Sequence, residues 1–213
     1  MNNTLEFIYK RHSVRKFKDQ PVPLEDIKKI IKAATYAPSG KNLQNWHFVV
    51  VNNQKIIQQM ALVIEKKIRK TAEYIKEEAI KNRFLKSLDY STIFKNAPVT
   101  ILVFAGPYPT TGLEIFKAIN ASEEEIAQVE KPNPGIQNIG AAMENLLLAA
   151  ANLGYGTCWM TSPNVAAKEL SEVVGFHKEG YYLAAITPLG LPIESELSSP
   201  PRKPLEEVMT ILD

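Results

Sequence analysis

Two arginines, a histidine and a serine fall within five residues near the start of the chain, in the run Arg11-His12-Ser13-Val14-Arg15. Each guanidinium presents a planar fork of N–H groups that can bind two oxygens of a phosphate or the carbonyl edge of a ring. The run could therefore hold an anionic cofactor. Taken alone, it is also typical of a solvated basic turn, which is the commoner explanation of a short charged run.

The histidines and the cysteine give weaker signals. His12, His47 and His177 are the three histidines, and no two of them have the spacing of metal ligands. With Cys158 as the single cysteine, we expect no metal site. His47 lies in an apparent strand and Cys158 in an apolar run without a neighbouring base, so both are interpreted as packed side chains.

Two further motifs fail as catalytic signals. Ser39 lacks the strand–turn–helix setting of a hydrolase nucleophile. Gly154-x-Gly156 follows a helical pattern, the reverse of the order that places a pyrophosphate at a helix N-terminus, so a Rossmann site is rejected. No catalytic acid, base, nucleophile or metal site is evident from the sequence. This absence is compatible with a reaction that a bound cofactor carries, for which the protein supplies position and electrostatics.

The elements that position these residues follow from the apolar pattern. Short runs rich in β-branched residues predict strands, near residues 47–51, 99–104, 157–160 and 181–186. Apolar residues at helical spacing predict helices, over residues 24–34, 136–153 and 164–174. Because strands and helices do not alternate regularly, the sequence predicts an α+β fold.

Three segments lie outside this pattern. Residues 66–86, within a segment 65–95, are heavily charged and predict an exposed helix. The segment 106–135 has prolines toward both ends and only a weak helical pattern, and long segments of this kind are often lids or binding loops. The extended C-terminal arm, residues 191–213, is proline-rich and cannot bury its apolar residues alone, so we predict that it lies on another surface.

The 136–153 helix is apolar on more than one face, and small residues such as Gly140 and Ala141 allow a second helix to approach closely. A chain of 213 residues has limited core in which to hide this helix together with an apolar arm. Burying both against a symmetric copy would solve the problem. The sequence therefore predicts a homodimer.

Composition bounds the class of protein. The length suits one domain, residues 1–213, with 45% hydrophobic and 23% charged residues. A net charge of +2 argues against a nucleic-acid partner. The chain starts without the basic region and apolar run of a signal peptide, and no run approaches a membrane span. With one cysteine, these features predict a cytoplasmic protein that does not bind a membrane.

A second polar cluster changes the interpretation of the first. It is Pro38-Ser39-Gly40-Lys41-Asn42-Leu43-Gln44-Asn45-Trp46-His47-Phe48. Together the two clusters resemble the opening of the FMN-dependent nitroreductase family, with its Arg-x-Ser-x-Arg and Pro-Ser-x-x-Asn-x-Gln-Pro-Trp signatures. Asn45 stands where the family usually has its second proline. Residues 138–159 are similar to the family's central helix and following strand, and residues 201–208 to its C-terminal signature.

This resemblance implies a nitroreductase-like sheet flanked by helices, in an intertwined homodimer with an exchanged C-terminal arm and FMN at the subunit border. The residues that it implies around FMN fall into four sets. Arg11 and Ser13, with Arg202 and Lys203 of the arm, would hold the phosphate, and His12 between them would be a further cofactor-binding residue. Arg15 would face the pyrimidine edge. Pro38, Ser39 and Asn42 would come from the partner subunit, and backbone N–H groups around Thr161 and Ser162 would face the flavin N5 and O4 edge.

The implied activity is a ping-pong hydride transfer through the flavin N5, with NADH or NADPH as donor and a nitroaromatic, quinone or similar small molecule as acceptor. No side chain would act as catalyst. The alternatives are related flavin chemistry, namely reductive dehalogenation or enone reduction, and a flavin-binding or storage protein without turnover. The segment 106–135 would lie near the active site, over the open flavin face.

Overall fold

Four antiparallel strands form the centre of the fold. In the computed structural model, which describes residues 5–110, 112–193 and 200–212, the strands form one sheet in the order β1-β2-β4-β3. Their bounds are β1 Trp46–Val51, β2 Val99–Ala105, β3 Gly156–Thr157 and β4 Tyr182–Gly190. The pairings β1–β2, β2–β4 and β3–β4 are all antiparallel, so the predicted α+β class is confirmed.

Helices cover both faces of this sheet. Their bounds are α1 Glu6–Lys10, α2 Leu24–Thr35, α3 Gln54–Ala72, α4 Glu78–Ser91, α5 Leu113–Ala118, α6 Glu123–Glu130, α7 Pro134–Asn152 and α8 Ala167–Val174. Short 3-10 helices occupy Gly40–Asn42, Ile93–Asn96, Ser162–Ala166 and Leu205–Glu207. The predicted helices over residues 24–34 and 136–153 are confirmed as α2 and α7, and the one over 164–174 is a 3-10 turn that continues into α8.

The central strand β2 shows how the two layers form. It is buried along its whole length, because strands flank it on both edges and helices cover both its faces. Side chains alternate across a strand. Ile101 and Val103 therefore join the core under α2 and α7, whereas Leu102 and Phe104 join the core under α3 and α8.

The prediction of a single exposed helix over residues 66–86 was wrong. The structure has two helices, with α3 ending at Ala72 and α4 beginning at Glu78. Ile64 and Ile68 are fully buried although they lie among charged residues. Four-residue spacing places them on one side of α3, so its apolar face continues under the charged surface.

Strand β1 is an edge strand, which corrects the prediction that it is buried and that His47 is a core side chain. His47 and Val50 are exposed, and Phe48 and Val49 are only partly buried. The His47 ring stacks on Phe176 with ring centroids 4.5 Å apart. Partial desolvation and then the nearby Lys178 lower the pKa of His47, so the imidazole stays neutral near neutral pH.

The segment 106–135 contains two short helices, α5 and α6, neither of which has a buried residue. Ser122 and Glu125 form a reciprocal capping box at the start of α6. Ile115 in α5 and Ile119, which directly follows this helix, have exposed fractions of 62% and 67%. The segment therefore projects from the core, as its weak apolar pattern predicted.

Within residues 5–110, 112–193 and 200–212, no helix is long and apolar enough to cross a membrane. In the same ranges, no three His, Cys, Asp or Glu side chains are grouped so that they could hold a metal ion.

Candidate functional site

The basic run at residues 11–15 is an extended segment docked on β3. Ser13 pairs with Thr157 in a parallel bridge, and the Val14 amide donates to the Thr157 carbonyl at 2.8 Å. Val14 is 4% exposed and fills the space over Gly156, where an added Cβ would lie 2.6 Å from the Val14 Cβ. Because side chains alternate along extended backbone, Ser13 and Arg15 point away from the core that Val14 enters.

The buried thiol of Cys158 lies next to this segment. Burial raises the pKa of this thiol, while Arg15, a hydrogen bond from Ser13 and then Arg11 act in the opposite direction. The sign of these effects shows that the thiol lies within the positive field of the 11–15 segment, with Ser13 as its neighbour. The thiol is 5% exposed, which confirms the predicted packed cysteine and places it directly behind the cluster.

The cluster keeps a positive charge. The Arg11 side chain is 21% exposed, and its Nε lies 3.9 Å from Glu144 Oε1 on α7, a long distance for an ion pair. The half-exposed Glu144 carboxylate is thus only loosely paired with Arg11, and the run carries a second guanidinium at Arg15. His12 lies beside them, and its Nδ1–H donates to the Lys10 carbonyl at 2.6 Å, because a carbonyl can only accept.

The segment that carries Thr161 and Ser162 leaves the sheet next to this cluster. Met160 pairs with Ile186 of β4, and the chain then enters the 3-10 helix that begins at Ser162. The first N–H groups of a helix have no partner within it. Thr161 and Ser162 are exposed, so these groups can donate to a bound ring edge.

Asn164 fixes this segment to an irregularity in the sheet. The register between β2 and β4 shifts between Val103 and Phe104. At the matching place on β4, Asn164 Nδ2 donates to the carbonyls of Leu183 at 3.2 Å and Ala184 at 2.8 Å. The Asn164 amide thus ties the 3-10 helix to β4 at this bulge.

The loop with Pro38, Ser39 and Asn42 has an unusual backbone. Lys41, Asn42 and Gln44 have φ of 57°, 51° and 46°, a left-handed conformation that non-glycine residues seldom adopt. Short polar contacts hold it. The Gln44 amide donates to Ser39 Oγ at 3.1 Å, and Gln44 Nε2 donates to Asn42 Oδ1 at 3.2 Å.

Helix α7 separates this loop from the basic cluster. The loop contacts Asn138 through the Gly40 amide, whereas Arg11 faces Glu144. Six residues of α-helix amount to about 9 Å along the axis and about 120° of rotation around it. The two predicted groups of cofactor residues therefore lie on different sides of α7 within one chain.

The two cations of the arm are also apart from the cluster. Arg202 donates to the Pro200 carbonyl at 3.2 Å, and Lys203 lies 3.9 Å from Glu207, so these partners belong to the arm itself. Both side chains are exposed. A single chain thus brings together Arg11, Ser13 and Arg15, with Thr161 and Ser162 on the segment that follows Cys158.

Three residues that shape the site were not predicted from their side-chain type. Glu144 and Asn164 lie in predicted helices, and Cys158 was interpreted only as core. The sequence contains no spacing signal that would place Glu144 against Arg11 or Asn164 against a bulge. Tertiary packing alone creates these contacts.

The fold and the cluster define a known class of protein. The profile of the nitroreductase family matches residues 8–191, and the chain belongs to that family. It is similar over its full length to a BluB-like flavoprotein from Clostridium difficile 630, with 43% identity, a TM-score of 0.91 and complete coverage of both chains.

More distant relatives have other names. A putative NADH dehydrogenase/NAD(P)H nitroreductase from Archaeoglobus fulgidus is 28% identical over 198 residues, which cover 90% of this chain and 87% of the relative. A structure of oxidised iodotyrosine deiodinase bound to FMN and 3-iodo-L-tyrosine is 26% identical, with a TM-score of 0.66 and coverage of 93% and 94%.

Proposed function

We propose that this chain is an FMN-dependent oxidoreductase that oxidises NADH or NADPH and reduces a small acceptor such as a nitroaromatic or a quinone. The observation that carries the proposal is the placement of Arg11, Ser13 and Arg15 on one extended segment that is anchored to β3 beside Cys158. A phosphate of about −2 charge needs several charge-assisted donors when it is partly buried. This cluster supplies such donors. The carboxylate recorded against it, that of Glu144, lies 3.9 Å from Arg11 and neutralises it only weakly.

The residues of this chain would bind and orient the cofactor. When bound, FMN supplies the hydride chemistry at its N5 atom, and donor and acceptor use the same open face in turn. Arg11 and Ser13 would hold the phosphate. Arg15 would stabilise the negative charge that the pyrimidine edge gains on reduction. The N–H groups at Thr161 and Ser162 would orient the N5 and O4 edge.

The complete site requires a homodimer in this proposal. Pro38, Ser39 and Asn42 lie on the other side of α7 from the cluster. They would therefore serve the partner's flavin, and the exchanged arm would bring Arg202 and Lys203 to a phosphate.

Exposed apolar surfaces support the exchange of the arm. Its apolar side chains are exposed by between 52% at Met209 and 91% at Leu212. A groove of about 540 Å³ lies between α1, α2 and α7 and is lined by Phe7, Tyr36 and Leu148 among others. Covering such surfaces is the usual source of stability in an obligate dimer, so we expect an interface above about 2,000 Å².

A visible spectrum and stopped-flow mixing with NADH or NADPH test the proposed activity. We expect a yellow protein whose flavin absorption is bleached by the nucleotide and restored by a quinone or nitroaromatic. A colourless protein that does not take up added FMN would rule out the flavin site. A yellow protein that neither nucleotide bleaches would instead identify a flavin-binding protein without this turnover.

Reductive dehalogenation is the second candidate, and the similarity to iodotyrosine deiodinase supports it. The chemically reduced protein can be mixed with 3-iodo-L-tyrosine and the released iodide measured. Release at a rate faster than the reduction of quinones would favour dehalogenation. Absence of iodide together with rapid quinone reduction would favour the first activity.

A further inference from the structure

Asn45 joins the two ends of the segment 106–135. Its side-chain Nδ2 donates to the Gly106 carbonyl at 3.1 Å and to the Gly135 carbonyl at 3.2 Å. Its backbone carbonyl accepts from the Gly106 amide at 2.6 Å. Gly106 directly follows β2 and Gly135 lies in the first turn of α7, so one buried amide, 4% exposed, holds both ends together.

Asn138 extends this connection to the loop before β1. Its Nδ2 donates to Asn45 Oδ1 at 2.8 Å, and its own Oδ1 accepts from the Gly40 amide at 3.0 Å. Asn138 is 6% exposed. Both amides are thus buried, and each uses its donor and its acceptor, which is the condition under which a buried polar pair rigidifies a structure.

Tyr108, just inside the segment, is wedged between the same two parts. A Cβ on Gly135 would lie 2.7 Å from the Tyr108 Cβ, and a Cβ on Gly40 would strike the Tyr108 hydroxyl. Lys41 Nζ also donates to the Pro109 carbonyl at 2.9 Å. The start of the segment and the loop with positive φ angles therefore pack as one unit.

We propose that Asn45 and Asn138 are positioning residues that make the placement of the segment 106–135 depend on the conformation of the loop 38–44. The loop has three non-glycine residues with positive φ, a conformation that persists only when its surroundings enforce it. The amide pair is a main part of those surroundings. A ligand that contacts Ser39 or Asn42 would then also order α5 and α6, which have no buried residues of their own.

The link to flavin rests on the proposed function, whereas the role of the amide pair does not. Hydrogen–deuterium exchange of the full chain, with and without FMN, separates the two. The variants are Asn45→Ala and Asn138→Ala, and the matched control is Gln54→Ala. Gln54 Nε2 makes one bond to a backbone carbonyl, that of Ala97 at 2.8 Å, which lies before β2 and thus at the opposite end of that strand from Gly106.

Without FMN, we expect exchange over residues 107–133 to be on the order of tenfold faster in both amide variants, with α3 unchanged. The control should exchange like the wild type in that segment. In the wild type, FMN should slow exchange over residues 107–133. Both amide variants should lose this response, which a merely structural role would leave in place.

Unchanged exchange over residues 107–133, an equal rise in α3, or an FMN response retained in the variants would each overturn the proposal. If Asn45→Ala does not fold, Asn138→Ala decides the matter, since it leaves Asn45 bonded to both carbonyls. Failure of the wild type to take up FMN would overturn the proposed function alone, because the exchange measured without FMN still tests the amide pair.

Discussion

Two regions of the chain carry cations for the proposed phosphate site, and the chain treats them differently. Residues 11–15 are anchored, with Val14 4% exposed and Ser13 paired to β3. Residues 200–212 are exposed throughout, and the polar partners of Arg202 and Lys203 lie within the arm. Both regions carry cations, but only the first is anchored to the sheet of its own chain.

This difference separates two ways of building a site. An anchored segment has its backbone already ordered, so a ligand that binds to its cations need only order their side chains. An exposed arm must be ordered first, and ordering each residue costs on the order of 1–2 kcal/mol in backbone entropy. The arm can contribute only if apolar burial on another surface offsets that cost. In the proposed dimer, the partner subunit supplies this surface.

Removal of residues 200–213 should have the largest effect. We expect loss of the dimer together with a fall in FMN affinity of at least about a hundredfold, since two charge-assisted contacts of about 1.5–3 kcal/mol each disappear. Sedimentation velocity at low micromolar concentration and flavin fluorescence titration measure the two effects. A truncated protein that stays dimeric and yellow would contradict the role of the arm.

Arg11→Ala and Arg202→Ala sharpen the comparison at single residues. Each should weaken FMN binding by about 1.5–3 kcal/mol, or roughly 10- to 150-fold, through a lost charge-assisted bond. Isothermal titration measures the affinity. Arg69→Ala is the matched control, because Arg69 is an exposed arginine paired with Glu65 on the surface of α3. Wild-type affinity in both test variants would show that the phosphate site is misplaced.

Gly156→Ala tests the anchor of the first region. The new Cβ would lie 2.6–2.7 Å from three atoms of the Val14 side chain, so the 11–15 segment must shift away from β3. We expect a loss of about 1–3 kcal/mol in the free energy of unfolding, together with weaker FMN binding. Urea unfolding measures the first quantity. Unchanged stability would mean that Val14 is not wedged as the structure has it.

Tyr155→Phe should have the smallest effect, a loss of stability that is present above about pH 4 and disappears in acid. The Tyr155 hydroxyl donates to Asp26 Oδ2 at 2.8 Å, which ties the residue before Gly156 to α2. Hydrogen bonds first from Lys29 and then from Tyr155 lower the pKa of Asp26 below its ordinary value of 3.8. A lowered carboxyl pKa stabilises the fold above the unfolded value, and this contribution is lost as the pH falls below about 3.8.

As the pH falls from about 4 to about 2, the variant should therefore lose less stability than the wild type. The difference between their free energies of unfolding should shrink over this range. Thermal unfolding followed by circular dichroism at several pH values measures the difference. Parallel stability curves for the two proteins across that range would show that the hydrogen bond does not perturb Asp26.

The regular part of the fold could be predicted from local pattern. The run before Asn52 and the run after Pro98 have the β-branched composition of strands, and both are strands. The α7 helix follows from apolar residues at helical spacing. What local pattern misjudged was exposure. His47 was expected in the core and lies on an edge strand, whereas Ile68 lies among lysines and is fully buried.

The sequence by itself determined the family, because the two polar signatures and the spacing between them can be recognised without a structure. It also determined which residue types could hold an anion. Tertiary structure alone decided which of them meet. It placed Arg11, Ser13 and Arg15 on one anchored segment beside Cys158, left Arg202 and Lys203 in an exposed arm, and closed the 106–135 segment with Asn45.

The physical reason is that a side chain's role depends on contacts between residues far apart in sequence. The Asn45 amide meets a carbonyl 90 positions away and the Asn138 amide 93 positions away. Neither periodicity nor propensity extends over such distances, since both describe neighbours within a few residues. Only the packing of α7 across the sheet brings these groups together. Asn45, which stands where the family signature usually has a proline, thereby connects the strand β2 to the helix α7.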